Sequence, residues 1–113
     1  MTRLQLTDVL KKNNVDVKTI DYILSKNIKR LLGRSLEEIK KIIKLIKYKN
    51  LDIRKCLTVL VYGKAKEIER IIKLLKDENI KLTNIKAYNI HYIFYKFKYD
   101  DLKNILLHRK DMY

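Results

Sequence analysis

A near-duplication constrains this chain more than any other feature. The segment EEIKKIIKLIKYKNLDIRKC, from Glu37, aligns with KEIERIIKLLKDENIKLTNI, from Lys66, at an offset of 29 residues. Ile39 falls on Ile68, Ile43 on Ile72, Ile46 on Leu75, Asn50 on Asn79 and Leu51 on Ile80. The pattern recurs upstream at an offset of 36, where Leu6, Val9, Leu10, Asn14 and Val15 match Ile42, Leu45, Ile46, Asn50 and Leu51. It recurs downstream at an offset of 34, where Leu102, Ile105 and Leu106 match Ile68, Ile71 and Ile72. A unit that repeats in this way is one supersecondary element stacked on copies of itself.

The unit is helical. There is no proline and there are two glycines, Gly33 and Gly63, while apolar residues recur at helical spacing. One helix is expected from Ser35 to about Lys49, with Leu36, Ile39, Ile42, Ile43 and Ile46 on its apolar face. Ser35 and Glu38 have the spacing of a reciprocal capping box at its start. A second is expected from Lys64 to about Asp77, with Ile68, Ile71, Ile72 and Leu75 inward. Each full unit then reads as a long helix and an asparagine suited to the left-handed conformation that ends helices. An apolar residue, an N-cap candidate (Asp16, Asp52 or Thr83) and a shorter helix follow. The unequal offsets put the length variation in the connections, two of which hold Gly33 and Gly63.

A helix pair cannot bury its apolar face alone, so successive units must share a core. The expected fold is all-α: one domain over 1–113, a short solenoid of about seven helices, with units at about 4–28, 35–61 and 64–92 and a C-terminal helix at about 99–110. The length of 113 residues suits one domain, and 47% hydrophobic residues argue against disorder. No run reaches the ~20 apolar residues of a membrane span. Residues 1–12 include Asp8 and lack both an apolar segment and a small-residue cleavage site, so an intracellular protein, in cytoplasm or nucleoid, is expected. The single cysteine, Cys56, lies in the run CLTVLV and reads as a small buried hydrophobe.

Charge sets the function class. Lys and Arg number 27 against 13 Asp and Glu, a net charge of +14. Nucleotide bias toward Lys, Ile, Asn and Tyr accounts for part of the lysine, but such bias also raises glutamate, and only Glu37, Glu38, Glu67, Glu69 and Glu78 occur. An excess of this size repels itself on folding and points to a polyanionic partner.

The repeat register arranges the cations. Lys41, Lys44 and Lys47 align at 29 residues with Arg70, Lys73 and Lys76; Lys11 and Lys110 are the equivalents of Lys47 and Lys76 in the outer units. Residues three apart lie ~4.5 Å apart along a helix axis, and packed helices sit ~8–10 Å apart, so the stripes would form a ladder suited to a phosphate backbone. The alternative is a solvated lysine face with no ligand. Arg54, with Lys18 as its equivalent, extends the set on the second helices, and Arg30 and Arg34 flank the Leu31-Leu32-Gly33 turn, within reach of phosphates or in a solvated loop. Tyr88 to Tyr99 (YNIHYIFYKFKY) interleaves aromatics with Lys96 and Lys98. It stacks on unpaired bases or covers the end of the core, and its β-propensity admits a short extended piece.

Chemistry has little support. His91 and His108 have no ligand partners at metal spacing, there is no glycine-rich phosphate loop, and Glu37-Glu38 and Asp100-Asp101 sit at helix starts, where the dipole explains them. The expected function is non-enzymatic binding of DNA or RNA through a basic groove, as a regulatory or accessory factor, with no cofactor or metal. The alternative is a protein-interaction module or inhibitor of a mobile element, docking on an acidic protein.

The stretch ILSKNIKRLLGRSLEEIKKIIKLIKYKNLDIRKCL, followed by KEIERIIKLLKDENIKLTNI and YIFYKFKYDDLKNIL, resembles the repeats of the mitochondrial transcription termination factor (mTERF) family, over about Leu6 to Leu107. Family repeats usually carry a proline before the Leu-Leu pair, where this chain has Ile28 and Lys29, and family members are generally longer. The resemblance implies a right-handed superhelix that binds nucleic acid on a basic concave side, a role in transcription regulation and, for a true member, an organellar location.

Overall fold

The computed structural model of the chain describes residues 1–26, 28–78 and 98–108, with side chains as far as 104. Every regular element among these residues is a helix. The long ones are α1 (Arg3–Lys12), α4 (Leu36–Tyr48), α6 (Ala65–Asp77) and α7 (Tyr99–His108). Between them lie α2 (Val17–Ser25), α3 (Ile28–Leu32), a 3-10 turn (Ile53–Cys56) and α5 (Leu57–Tyr62). Asn79, Ile80, Thr83, the aromatic stretch from Tyr88 to Phe97 and Lys110 lie outside the described residues, as does the second helix expected within 64–92.

The long helices end as the asparagines predict. Asn14 and Asn50 have φ of 60° and 55°, the left-handed region that asparagine tolerates better than other side chains with a Cβ. Val15 N–H donates to the Leu10 carbonyl and Leu51 N–H to that of Ile46, each at 3.0 Å, closing the same Schellman turn in both units. Asp16 and Asp52 then cap the next elements, accepting from Thr19 N–H at 2.7 Å and from Arg54 N–H at 3.0 Å.

The capping box is found elsewhere than expected. Ser35 Oγ does accept from Glu38 N–H at 3.4 Å, but the Glu38 carboxylate reaches away from its own helix, to Ala65. The reciprocal pair is Thr2 with Gln5 at the start of α1: Thr2 N–H donates to Gln5 Oε1 at 2.8 Å, and Gln5 N–H to Thr2 Oγ1 at 3.1 Å.

The helices lie in two rows. α4 packs on α1, α6 on α4 and α7 on α6; on the other side α2 packs on the 3-10 turn and α3 on α5. Leu6 and Leu10 of α1, Ile39, Ile42, Ile43 and Ile46 of α4, Ile68 and Ile71 of α6 and Leu102 of α7 share one core with Ile23, Leu31, Val59 and Leu60. The extents of 46 × 22 × 20 Å are those of a short rod. The first unit is seven residues longer than the second, and its connection to the next long helix holds the five-residue α3, whose Leu31 is fully buried. Cys56 is fully buried too, and burial, with Asp52 nearby, pushes its thiol up to about 12.

The two glycines differ. A Cβ on Gly63 would lie 2.5 Å from the Val59 carbonyl oxygen and 3.3 Å from Ile68, so any other residue there forces the turn from α5 into α6 to shift. A Cβ on Gly33 would meet nothing closer than 3.4 Å.

Candidate functional site

Acidic side chains are drawn into the framework. Glu38 of α4 accepts from the backbone N–H of Ala65, the first residue of α6, at 2.5 Å. Glu67 is the equivalent of Glu38 one unit on, and accepts from the N–H of Tyr99, the first residue of α7, at 3.3 Å. Thus one carboxylate in each of two successive long helices caps the start of the next. The helix dipole favours negative charge there, and Lys64, at the N-cap of α6, contributes no side-chain bond of its own. Asp16 and Asp52 cap helix starts as well, and Glu37 lies 3.6 Å from Lys40.

Four arginines, Arg30, Arg34, Arg54 and Arg70, are drawn in too, which sequence did not reveal. Arg34, beside the Leu31-Leu32-Gly33 turn, is tied to backbone carbonyls of another element. It is partly buried, and its guanidinium donates to the Leu60 carbonyl at 2.7 Å and to that of Gly63, closing the end of α5, with Glu38 at 4.0 Å. Burial lowers its pKa and the Glu38 charge opposes that shift. Arg30 hydrogen-bonds the Tyr62 hydroxyl and lies 5.5 Å from that ring. Arg54 lies 4.4 Å from the Tyr22 ring, and Arg70 lies 4.1 Å from that of Tyr99 while pairing with Glu67 at 3.4 Å. In each case the ring or carbonyl partner belongs to another element, so the guanidinium fastens two of them. Arg30, Arg54 and Arg70 remain exposed at their outer edges.

The lysines are left over. Lys41, Lys44 and Lys47 on α4 and Lys73 and Lys76 on α6 are all exposed, and among the described residues none of their side chains has an ion pair or a hydrogen bond. Lys41, Lys44 and Lys47 lie away from the buried face made by Ile39, Ile42, Ile43 and Ile46, and α6 repeats the arrangement. The two helices that carry these stripes, α4 and α6, pack directly on each other. Lys11 is exposed on α1. Its helix carries Asp8 and Gln5 where α4 has Lys44 and Lys41, so the ladder thins there. At the other end α6 and α7 enclose an open cleft of about 310 Å³ lined by Arg70, Lys73, Leu74, Asp77, Glu78, Tyr99 and Lys103.

Among the described residues no three His, Cys, Asp or Glu side chains gather to hold a metal ion, and no helix is long and apolar enough to cross a membrane. Comparison of the chain with known protein families, with curated proteins and with solved structures finds no match.

Proposed function

We propose that this protein is a non-enzymatic nucleic-acid-binding protein that holds a phosphate backbone against the exposed lysines of α4 and α6. One observation carries the reading: Lys41, Lys44, Lys47, Lys73 and Lys76 are exposed on two helices that pack on each other and have no ion pair among the described residues, while Asp16, Asp52, Glu37, Glu38 and Glu67 cap helices or pair with other cations. A cation paired inside the fold gives up part of its attraction for phosphate. A row left unpaired keeps it and can displace condensed counterions. Lys11, Arg54, Arg70 and Lys110 would extend the contact at its margins, as would Arg30.

The two rows of helices support a further reading, that the chain is a short right-handed solenoid of helix pairs like those the mTERF resemblance implies. Successive long helices pack in chain order, and the same Schellman turn closes two units. Docking on an acidic protein is the competing use of the same surface.

The test is a salt titration of binding to duplex and single-stranded DNA and RNA. Five phosphate contacts give a slope of log affinity against log salt of about −3.5 on single strands and about −4.5 on duplex. Changing Lys44, Lys47, Lys73 and Lys76 to Gln should remove most binding. Changing Lys26, Lys29, Lys55 and Lys98, exposed outside α4 and α6, lowers the charge equally and should weaken it far less. Equal losses would reject the surface. A flat salt response, with nuclease-resistant capture of an acidic protein, would favour the competing use.

A further inference from the structure

The described tyrosines fall into two groups. Tyr22, Tyr62 and Tyr99 each have an arginine guanidinium against the ring, from Arg54, Arg30 and Arg70. Tyr48, the last residue of α4, has none. It is 75% exposed, the most exposed of the large hydrophobic side chains described, and the one described cation over its ring is that of Lys49, its chain neighbour, at 5.5 Å.

Its position gives this exposure a meaning. Lys41, Lys44 and Tyr48 are spaced i, i+3 and i+7, so they lie along one side of α4, and Tyr48 ends the stripe ~6 Å beyond Lys44 along the axis. A large apolar ring held in water costs free energy that a polar residue at the same place would avoid. The equivalent positions, Lys12 in α1 and Asp77 in α6, are polar.

We infer that Tyr48 is a stacking platform and that the preferred ligand of the lysine surface is a single strand with unpaired bases, DNA or RNA. The inference rests on the nucleic-acid reading above and narrows it. In a duplex the faces of interior bases are covered by their neighbours, and a side chain outside the helix meets only phosphate, sugar and base edges. In a single strand each base has a face free to lie on an aromatic ring while its phosphates track nearby cations. Lys41 and Lys44 are placed for such phosphates and Tyr48 for the base that follows. Lys49 beside the ring adds a cation at the same point.

The experiment measures binding of single-stranded DNA, single-stranded RNA and the matching DNA duplex at one salt concentration, for the wild type and for Tyr48→Phe and Tyr48→Leu. A 2-aminopurine base in the single strands reports stacking through its fluorescence. Single strands should bind the wild type more tightly than duplex. Tyr48→Leu should lower single-strand affinity about five- to a hundred-fold and abolish the fluorescence change, while leaving duplex affinity unchanged within about twofold. Tyr48→Phe, which keeps the ring, should behave as wild type. The DNA and RNA arms show which sugar the surface accepts. Equal loss of duplex and single-strand binding in Tyr48→Leu, or no loss in either, would overturn the platform while leaving the lysine surface standing. Absence of salt-dependent binding to all three probes would overturn both readings. Matched circular dichroism spectra of the three proteins keep a folding defect from being taken for either result.

Discussion

The Glu38 carboxylate accepts a hydrogen bond from the backbone N–H of Ala65, 27 residues away, at 2.5 Å. The bond joins the first turn of α4 to the first turn of α6, and Glu67 repeats it toward α7. Removing it leaves the α6 N-terminus without a side-chain cap. Glu38→Ala should therefore cost about 1–2 kcal/mol in urea unfolding, and Glu38→Gln, which keeps an acceptor, about half as much. A loss below about 0.3 kcal/mol for the alanine variant would show that water replaces the carboxylate without penalty.

The glycines offer a matched pair. Gly63→Ala forces a methyl group against the Val59 carbonyl and Ile68, and is expected to lose about 1–3 kcal/mol, with a lower melting temperature. Gly33→Ala places the same methyl at ordinary contact distance and should be neutral or stabilising by up to about 1 kcal/mol, since it restricts the unfolded chain. Equal melting temperatures for the two variants would contradict the close approach at Gly63.

Acid should weaken the start of α2 through Asp16. Hydrogen bonds from the Thr19 side chain and backbone, aided by the charges of Arg54 and Lys18, hold its carboxyl below its ordinary value of 3.8. A carboxyl with a lowered folded-state pKa contributes stability that is present above its unfolded value and lost as pH falls through the folded one. Asp16→Asn keeps an N-cap acceptor but cannot titrate. The stability gap between wild type and this variant should be constant above pH ~5 and shrink below pH ~4. Parallel acid unfolding curves would refute the assignment.

Much of the helical framework was legible in the sequence because it is local and periodic. The burial of Ile39, Ile42, Ile43 and Ile46 follows from spacing, the left-handed turns at Asn14 and Asn50 from residue type, and the caps at Asp16 and Asp52 from position. Where a motif had two solutions, locality misled: Ser35-x-x-Glu38 has the form of a capping box, yet Glu38 bonds Ala65, because the α6 N-terminus offers an N–H with no other side-chain cap. Likewise Gly33 and Gly63 look alike in sequence, and only the approach of Val59 makes a side chain costly at one of them.

For the candidate site, the repeat register already aligned Lys41, Lys44 and Lys47 with Arg70, Lys73 and Lys76. Which cations the fold itself uses was a tertiary outcome. Arg34 takes its two carbonyls at separations of 26 and 29 residues and Arg30 takes Tyr62 at 32, contacts that exist only once the two rows of helices have packed. The same packing covers Tyr22, Tyr62 and Tyr99 with arginine and leaves Tyr48 bare. Periodicity assigns a residue to a face of its own helix because side-chain direction repeats with the backbone. What meets that face depends on the neighbouring elements, so packing separated the arginines that fasten the fold from the lysines left exposed on its surface.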